Sequence, residues 1–268
     1  MAMEVLSFLK RQFNHFNAKR ELIRHAPDLR NDAKLLDAVG LVDLIYGDKW
    51  KRFFWIKQVR SEISALCQIV EELKPKIILE IGTANGGSLF LLTKLASKDA
   101  TILSIDLPFG KFGGGYPSYR TAFYKTFCTD NQQMHLLRGD SHSVQNFEIT
   151  KKLLGTRKVD FLFIDGDHTY EGVKKDFEMY SKLVSENGIV AFHDIAFHGL
   201  DSDCKVNKFW NEIRKEYSDS REFVEDDNQL WAGIGVLSQK IKLPANDQSR
   251  ILCLLPIGNC LRNSLPPI

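Results

Sequence analysis

The sequence predicts an α/β protein whose largely parallel sheet is covered by helices on both faces, and three observations predict it. From residue 76 onward, short apolar runs alternate with amphipathic ones, the signature of βαβ units. Two of the runs, Ile77–Gly82 and Val159–Asp165, are almost continuously hydrophobic, as strands buried on both sides are. The 268 residues are 44% hydrophobic and 26% charged, with 18 glycines and 8 prolines. That balance excludes wholesale disorder and is enough to bury a core without disulfides or a metal.

The elements follow in order. Residues 1–75 read as mainly helical. Apolar residues at 59, 63, 66, 69/70 and 73 repeat with a helical period, and Pro75 stops that helix. Strands follow at Ile77–Gly82, Thr101–Asp106, Met134–Arg138, Val159–Asp165 and Gly188–Asp194. Helices are expected at Ser88–Ala96, Glu171–Leu183 and Val206–Tyr217. Arg221–Val224 and Trp231–Leu237 read as two last strands, paired as an antiparallel hairpin at one edge. The expected organisation is an N-terminal helical cap or lid at 1–57, a catalytic domain at 58–238 and a tail at 239–268. The tail's apolar knot, Ile251–Leu255, marks it as a candidate interface between copies of the chain.

Charge and cysteine usage narrow the function classes. Lys and Arg number 36 against 34 Asp and Glu, so no basic excess exists to neutralise a phosphate backbone, and no nucleic-acid partner is expected. The five cysteines (67, 128, 204, 253, 260) form no C-x-x-C pair. Their scatter argues against a disulfide framework or a zinc site and for a reducing, cytoplasmic compartment. No apolar run reaches the roughly 18 residues that span a bilayer. Val5–Leu9 is too short for a signal-peptide core. The apolar stripe Leu6, Leu9, Phe13, Phe16 reads as a helix capping the core in preference to one lying on a membrane.

Four motifs carry chemistry. Glu80-Ile81-Gly82-Thr83-Ala84-Asn85-Gly86-Gly87-Ser88 joins the first strand to a helix, where glycine lets the backbone approach a ligand. Its G-x-x-x-G-G spacing disfavours a dinucleotide site and lacks the ending of a P-loop. Asp106 ends the second strand, 24 residues after Gly82, where a carboxylate can accept from both hydroxyls of a ribose. Gly139-Asp140-Ser141 follows the third strand, beside the same crevice; a plain Asp-Ser turn is an equal alternative. Asp165 and Asp194 end the fourth and fifth strands. If those strands are neighbours, the carboxylates converge at about 4.8 Å of strand spacing and need a cation or a shared proton. Oxygen ligands suit Mg²⁺, Mn²⁺ or Ca²⁺, and His193 tilts the set towards Mn²⁺. Asp167 reads as a helix cap. His15, His25, His135, His142 and His198 read as surface or core residues, and Trp50, Phe53, Phe54 and Trp55 as packing.

ILEIGTANGGS, SIDLP, GDSHS and IDGDHTYEGVKKDFEMYSKLVSENGIVAFHDI, with the loop FGKFGGGYPSYR, resemble the class I S-adenosylmethionine-dependent methyltransferases. The nearest branch groups cephalosporin hydroxylase-like proteins with small-molecule O-methyltransferases, and the resemblance covers roughly residues 58–237. It implies a doubly wound, Rossmann-like seven-stranded sheet with the last strand antiparallel. S-adenosylmethionine would lie over the loop of Glu80, Gly82, Thr83, Ala84, Gly86 and Ser88, with Asp106 at the ribose and Asp140 and Ser141 near the adenine. Metal-dependent relatives of the catechol type place an Asp after strand four and an acidic pair after strand five. Asp165 matches the first, and His193-Asp194 matches the pair with His replacing one acid.

The expected activity is methyl transfer to the hydroxyl of a small molecule, assisted by Mg²⁺ or Mn²⁺ at Asp165, His193 and Asp194. Asp165 and His168 are the candidate catalytic residues, with His168 as general base. The Gly113-Gly114-Gly115 loop, between Phe112 and Tyr116, is the expected hinge over the acceptor. Three alternatives stand beside this: a metal-dependent oxygenase of the cephalosporin hydroxylase kind, an NAD-dependent oxidoreductase, and a non-catalytic binding module.

Overall fold

The computed structural model describes residues 2–112, 114–129, 131–226 and 228–238, without the side chains of residues 2–6 and 8–12. The expected tail at 239–268, its knot Ile251–Leu255, Gly113 of the hinge and the side chains of Leu6 and Leu9 lie outside the described residues.

Three helices open the chain: α1 (Ala2–Asp32), α2 (Ala38–Tyr46) and the short α3 (Lys51–Phe54). Asp37 caps α2 by accepting from the Gly40 N–H at 2.8 Å. Next comes α4 (Arg60–Leu73), which ends at Lys74 in the left-handed region, one residue before Pro75. It buries Ile63, Leu66, Cys67 and Val70. Each large aliphatic side chain so buried stabilises by roughly 1.5–3 kcal/mol.

The sheet and its helices then alternate: β1 (Ile77–Ile81), α5 (Gly87–Leu95), β2 (Thr101–Asp106), α6 (Arg120–Lys125), β3 (Gln133–Arg138), α7 (Val144–Leu154), β4 (Val159–Ile164), α8 (Tyr170–Tyr180), β5 (Val184–His193), α9 (Val206–Ile213), β6 (Ser220–Phe223) and β7 (Ile234–Ser238). The seven strands lie in the order β3-β2-β1-β4-β5-β7-β6. β1 to β5 run parallel, and β7 is antiparallel to both of its neighbours. The hairpin of the last two strands is therefore present, and β7 also seals the outer edge of β5. β5 begins four residues earlier than the apolar run suggests, at Val184, and β7 starts at Ile234 rather than Trp231. Two helices, α6 and α7, escape the sequence reading.

Side chains alternate between two cores, as the pleat requires. Ile78, Phe161, Phe163 and Ala191 face a core shared with α1, α2, α4 and α5. Leu79, Leu162, Val190 and Phe192 face one shared with α8 and α9. The strand order reverses between β1 and β4, so a crevice opens there at the carboxyl ends of the strands. The register sets Ile81 opposite Ile164, and Ile164 opposite Phe192. Gly82, Asp165 and His193 are thereby level at the rim of that crevice.

Candidate active site

The glycine turn after β1 is dictated first by packing. Gly82 has φ +92°, and a Cβ there would lie 1.9 Å from the carbonyl oxygen of Asp165. The turn passes so close to the end of β4 that only glycine fits. Ala84, at φ +42°, is held on both sides. Its N–H donates to Asp106 Oδ2 (3.1 Å), and its carbonyl accepts from the Tyr124 hydroxyl (2.8 Å). Beneath the turn, fully buried Glu80 accepts from the Ser88 hydroxyl at 2.6 Å, and the hydroxyls of Thr83 and Ser104 pair. The second oxygen of Glu80 has no partner. Burial pushes its carboxyl up to about 8 against the hydrogen bonds from Ser88 and Thr83.

Two cavities share this rim. The larger, about 660 Å³, is lined by Gly82, Thr83, Ala84 and Ser88, by Asp165, His168, His193 and Asp194, and by the exposed Trp55 and Trp231. The smaller, about 200 Å³, is lined by Gly82, Ala84, Asp106, Asp140, Ser141 and the turn after β4. Gly82, Ala84, Phe112 and Asp165 border both. Of the residues expected to hold a cofactor, Glu80 and Gly86 border neither: Glu80 is under the turn, and Gly86 packs on the Tyr124 ring. Asp106 accepts from the Ala84 and Tyr116 N–H groups, and burial raises its carboxyl to about 6 against those donors. Phe112 stacks on His168 with centroids 4.8 Å apart.

The strand ends gather a dense polar cluster. His193 Nδ1 lies 3.2 Å from Asp165 Oδ1 and 3.3 Å from Asp194 Oδ1. His168 lies between the carboxylates, Nδ1 2.9 Å from Asp194 Oδ2 and Nε2 3.4 Å from Asp165 Oδ1. Gln58 donates to Asp165 Oδ2 at 2.9 Å. Burial works against every charge here, yet the mutual attraction prevails. His193 is raised well above its usual range by Asp165 and Asp194, and His168 is raised to about 12 by Asp165, Asp194 and Cys204. Both carboxylates are held low by the histidines. The two carboxylates thus favour the protonated form of His168, one ring nitrogen being turned to each of them.

Several residues read differently in the sequence. His198, taken as surface or core, lies with Nε2 3.2 Å from Asp194 Oδ1. His142, also read as partnerless, lies 3.2 Å from Asp176 Oδ1. Trp50, Phe53 and Phe54 are packing residues as expected, whereas Trp55 is exposed and lines the larger cavity. Asp167 supports the α8 cap, accepting from the Thr169 N–H (2.9 Å) and hydroxyl (2.8 Å). Gln58, Cys204 and Trp231 were missed; each reaches the site on a loop with no local pattern to announce it.

Residues 79–195 match a family described as a methyltransferase domain. The chain is 30% identical over 154 residues to an uncharacterized protein of Sinorhizobium fredii, covering 54% of this chain and 16% of that one. It is 34% identical over 116 residues to an uncharacterized protein of Acanthamoeba polyphaga mimivirus, covering 43% of this chain and 50% of that one. The chain therefore spans half or less of the length of these curated relatives. Among solved structures, the O-methyltransferase from Bacillus cereus in complex with SAH shares the fold, with TM-score 0.53 at 14% identity over 79% of this chain and 96% of that one.

Proposed function

We propose that residues 79–195, which match a family described as a methyltransferase domain, form a class I, S-adenosylmethionine-dependent methyltransferase, and that the protein methylates a hydroxyl of a small molecule with the help of a divalent cation. One observation carries the reading: the smaller cavity beside the glycine turn and the larger one lined by the carboxylate–histidine cluster adjoin, with Gly82, Ala84, Phe112 and Asp165 bordering both. The residues fit both groups. Asp106, Asp140 and Ser141 offer polar contacts to a nucleoside, and the larger cavity leaves room for an acceptor. His193 is buried with neither ring nitrogen in a well-aligned hydrogen bond, although Nδ1 sits beside two carboxylate oxygens. That is the donor set a cation orders.

When bound, S-adenosylmethionine supplies a methyl group on an electrophilic sulfonium. When bound, a divalent cation at Asp165, His193 and Asp194 supplies Lewis acidity that lowers the pKa of a neighbouring hydroxyl. The chain's residues do the rest. Asp106 and Asp140 orient the nucleoside, and the turn from Gly82 to Ser88 positions the methionine end. Asp165, which borders both cavities, would hold the cation beside the acceptor hydroxyl. A carboxylate held this low is a weak base, so the hydroxyl proton would pass to solvent. His168, the expected base, serves instead as the charge partner between Asp165 and Asp194. Trp55, Phe112 and Trp231 narrow the cavity, and holding oxygen and methyl carbon in line accounts for much of the acceleration.

The test is methyl transfer from labelled S-adenosylmethionine to a panel of hydroxyl acceptors, with EDTA and then with Mg²⁺ or Mn²⁺. Asp165→Asn is expected to lower turnover by at least about 100-fold while S-adenosylhomocysteine still binds. Full turnover of the variant in EDTA would remove the cation from the proposal. One observation favours the oxygenase alternative: His168, His193 and His198 all approach Asp194, enough for a two-histidine, one-carboxylate iron site. Oxygen uptake after anaerobic Fe²⁺ loading separates the two.

A further inference from the structure

We infer that Cys204 takes part in a second cation site, formed with His168 and Asp194, for a borderline-soft ion of the Zn²⁺ class. The donor atoms of His168, Asp194 and Cys204 all lie within 4.8 Å of one another. His198 approaches the same carboxylate at 3.2 Å, and its Nε2 is buried without a hydrogen bond. Cys204 is 7% exposed and borders neither cavity of the site, so no substrate carbon reaches its sulfur. A nucleophile needs that access and a ligand does not. The sulfur also lies against both imidazoles, which lower the thiol to about 7 in spite of burial.

The backbone holds this group in place. The Lys205 N–H donates to the His168 carbonyl at 2.8 Å, tying the residue after Cys204 to the turn after β4. Asp194 stands at φ +64°, a left-handed conformation that only a well-supported aspartate keeps. Its two oxygens face different neighbours. Oδ2 points to His168, while Oδ1 points to His193 and His198. One carboxylate can thus serve the oxygen-rich group with Asp165 and the thiolate group with Cys204. One imidazole, one carboxylate and one thiolate make a three-donor set that a solvent ligand would complete to tetrahedral Zn²⁺ and that suits Mg²⁺ poorly. The ion would pin the segment between β5 and α9 against the start of α8. The inference stands on these donors and does not require methyl transfer.

The full chain, stripped of metal, is titrated with Co²⁺ and followed by absorption, with Zn²⁺ as competitor. The expected result is a near-ultraviolet thiolate-to-cobalt charge-transfer band that saturates with one equivalent and is abolished by Zn²⁺. Cys204→Ser should lose the band and weaken Zn²⁺ at least about tenfold, whereas Asp165→Asn should keep it. Thermal unfolding of the metal-free variants establishes that each is folded. Cobalt binding without the band, a band that survives Cys204→Ser, or no cobalt bound by the folded wild type would each overturn the inference. S-adenosylhomocysteine binding, measured separately by calorimetry, shows whether the methyltransferase reading stands or falls on its own.

Discussion

Glu80 shows how one side chain serves the site at a cost to the fold. Its carboxyl is fully buried, one oxygen lacks a partner, and its folded pKa is raised from 4.5 to about 8. A carboxyl raised on folding contributes stability that is fully present below its unfolded value and is lost as pH climbs through the folded one. Stability should therefore fall between pH 4.5 and about 8, by on the order of 5 kcal/mol from this group. Glu80→Gln keeps the acceptor for Ser88 and removes the charge, so its denaturant midpoint should change far less over that interval; equal slopes for variant and wild type would refute the assignment. At the same scale, Gly82 shows why a motif is an incomplete witness. The sequence suggests a ligand, but the carbonyl of Asp165 already requires glycine there.

Among the elements, the loop from 107 to 116 matters most. Its base is fixed: Tyr116 donates its N–H to Asp106 at 3.2 Å, its carbonyl accepts from Arg138 at 3.1 Å, and a Cβ on Gly115 would strike Pro108. Its tip carries Phe112 onto His168. Stacked pairs of this kind contribute about 0.5–1.5 kcal/mol. Phe112→Ala should accordingly lower the melting temperature by about 2–4 °C per kcal/mol lost, and, because Phe112 borders both cavities, should also weaken S-adenosylhomocysteine by calorimetry. The strands were legible because burial on both faces writes itself as unbroken apolar runs. Helix α7 was not, because within Val144–Leu154 it buries only Thr150 and Leu154 and shows no strong stripe. Asp165, His193 and Asp194 could be found because strand ends are visible in sequence. His198 and Cys204 could not, since only the folding back of the segment after β5 brings them to Asp194.

Across the whole molecule, the chambers couple ligand binding to stability. A ligand that binds only the folded chain stabilises it by about 2.7 kcal/mol at a hundredfold excess over its Kd. S-adenosylhomocysteine should therefore raise the melting temperature in proportion to the logarithm of its concentration, and NAD should not. Equal shifts with both nucleotides would return the oxidoreductase reading to favour. Among the described residues no helix is long and apolar enough to cross a membrane.

The antiparallel seventh strand has a consequence for how the protein comes into being. β5 carries His193 to the rim, yet among the described residues its outer edge is paired only by residues 234–238. On a translating ribosome, the turn after β1 and the strands around it can assemble first, while the acid–imidazole rim stays half-framed until β7 has emerged. Until then β5 presents an unsatisfied apolar edge, the kind of surface that nascent-chain chaperones cover.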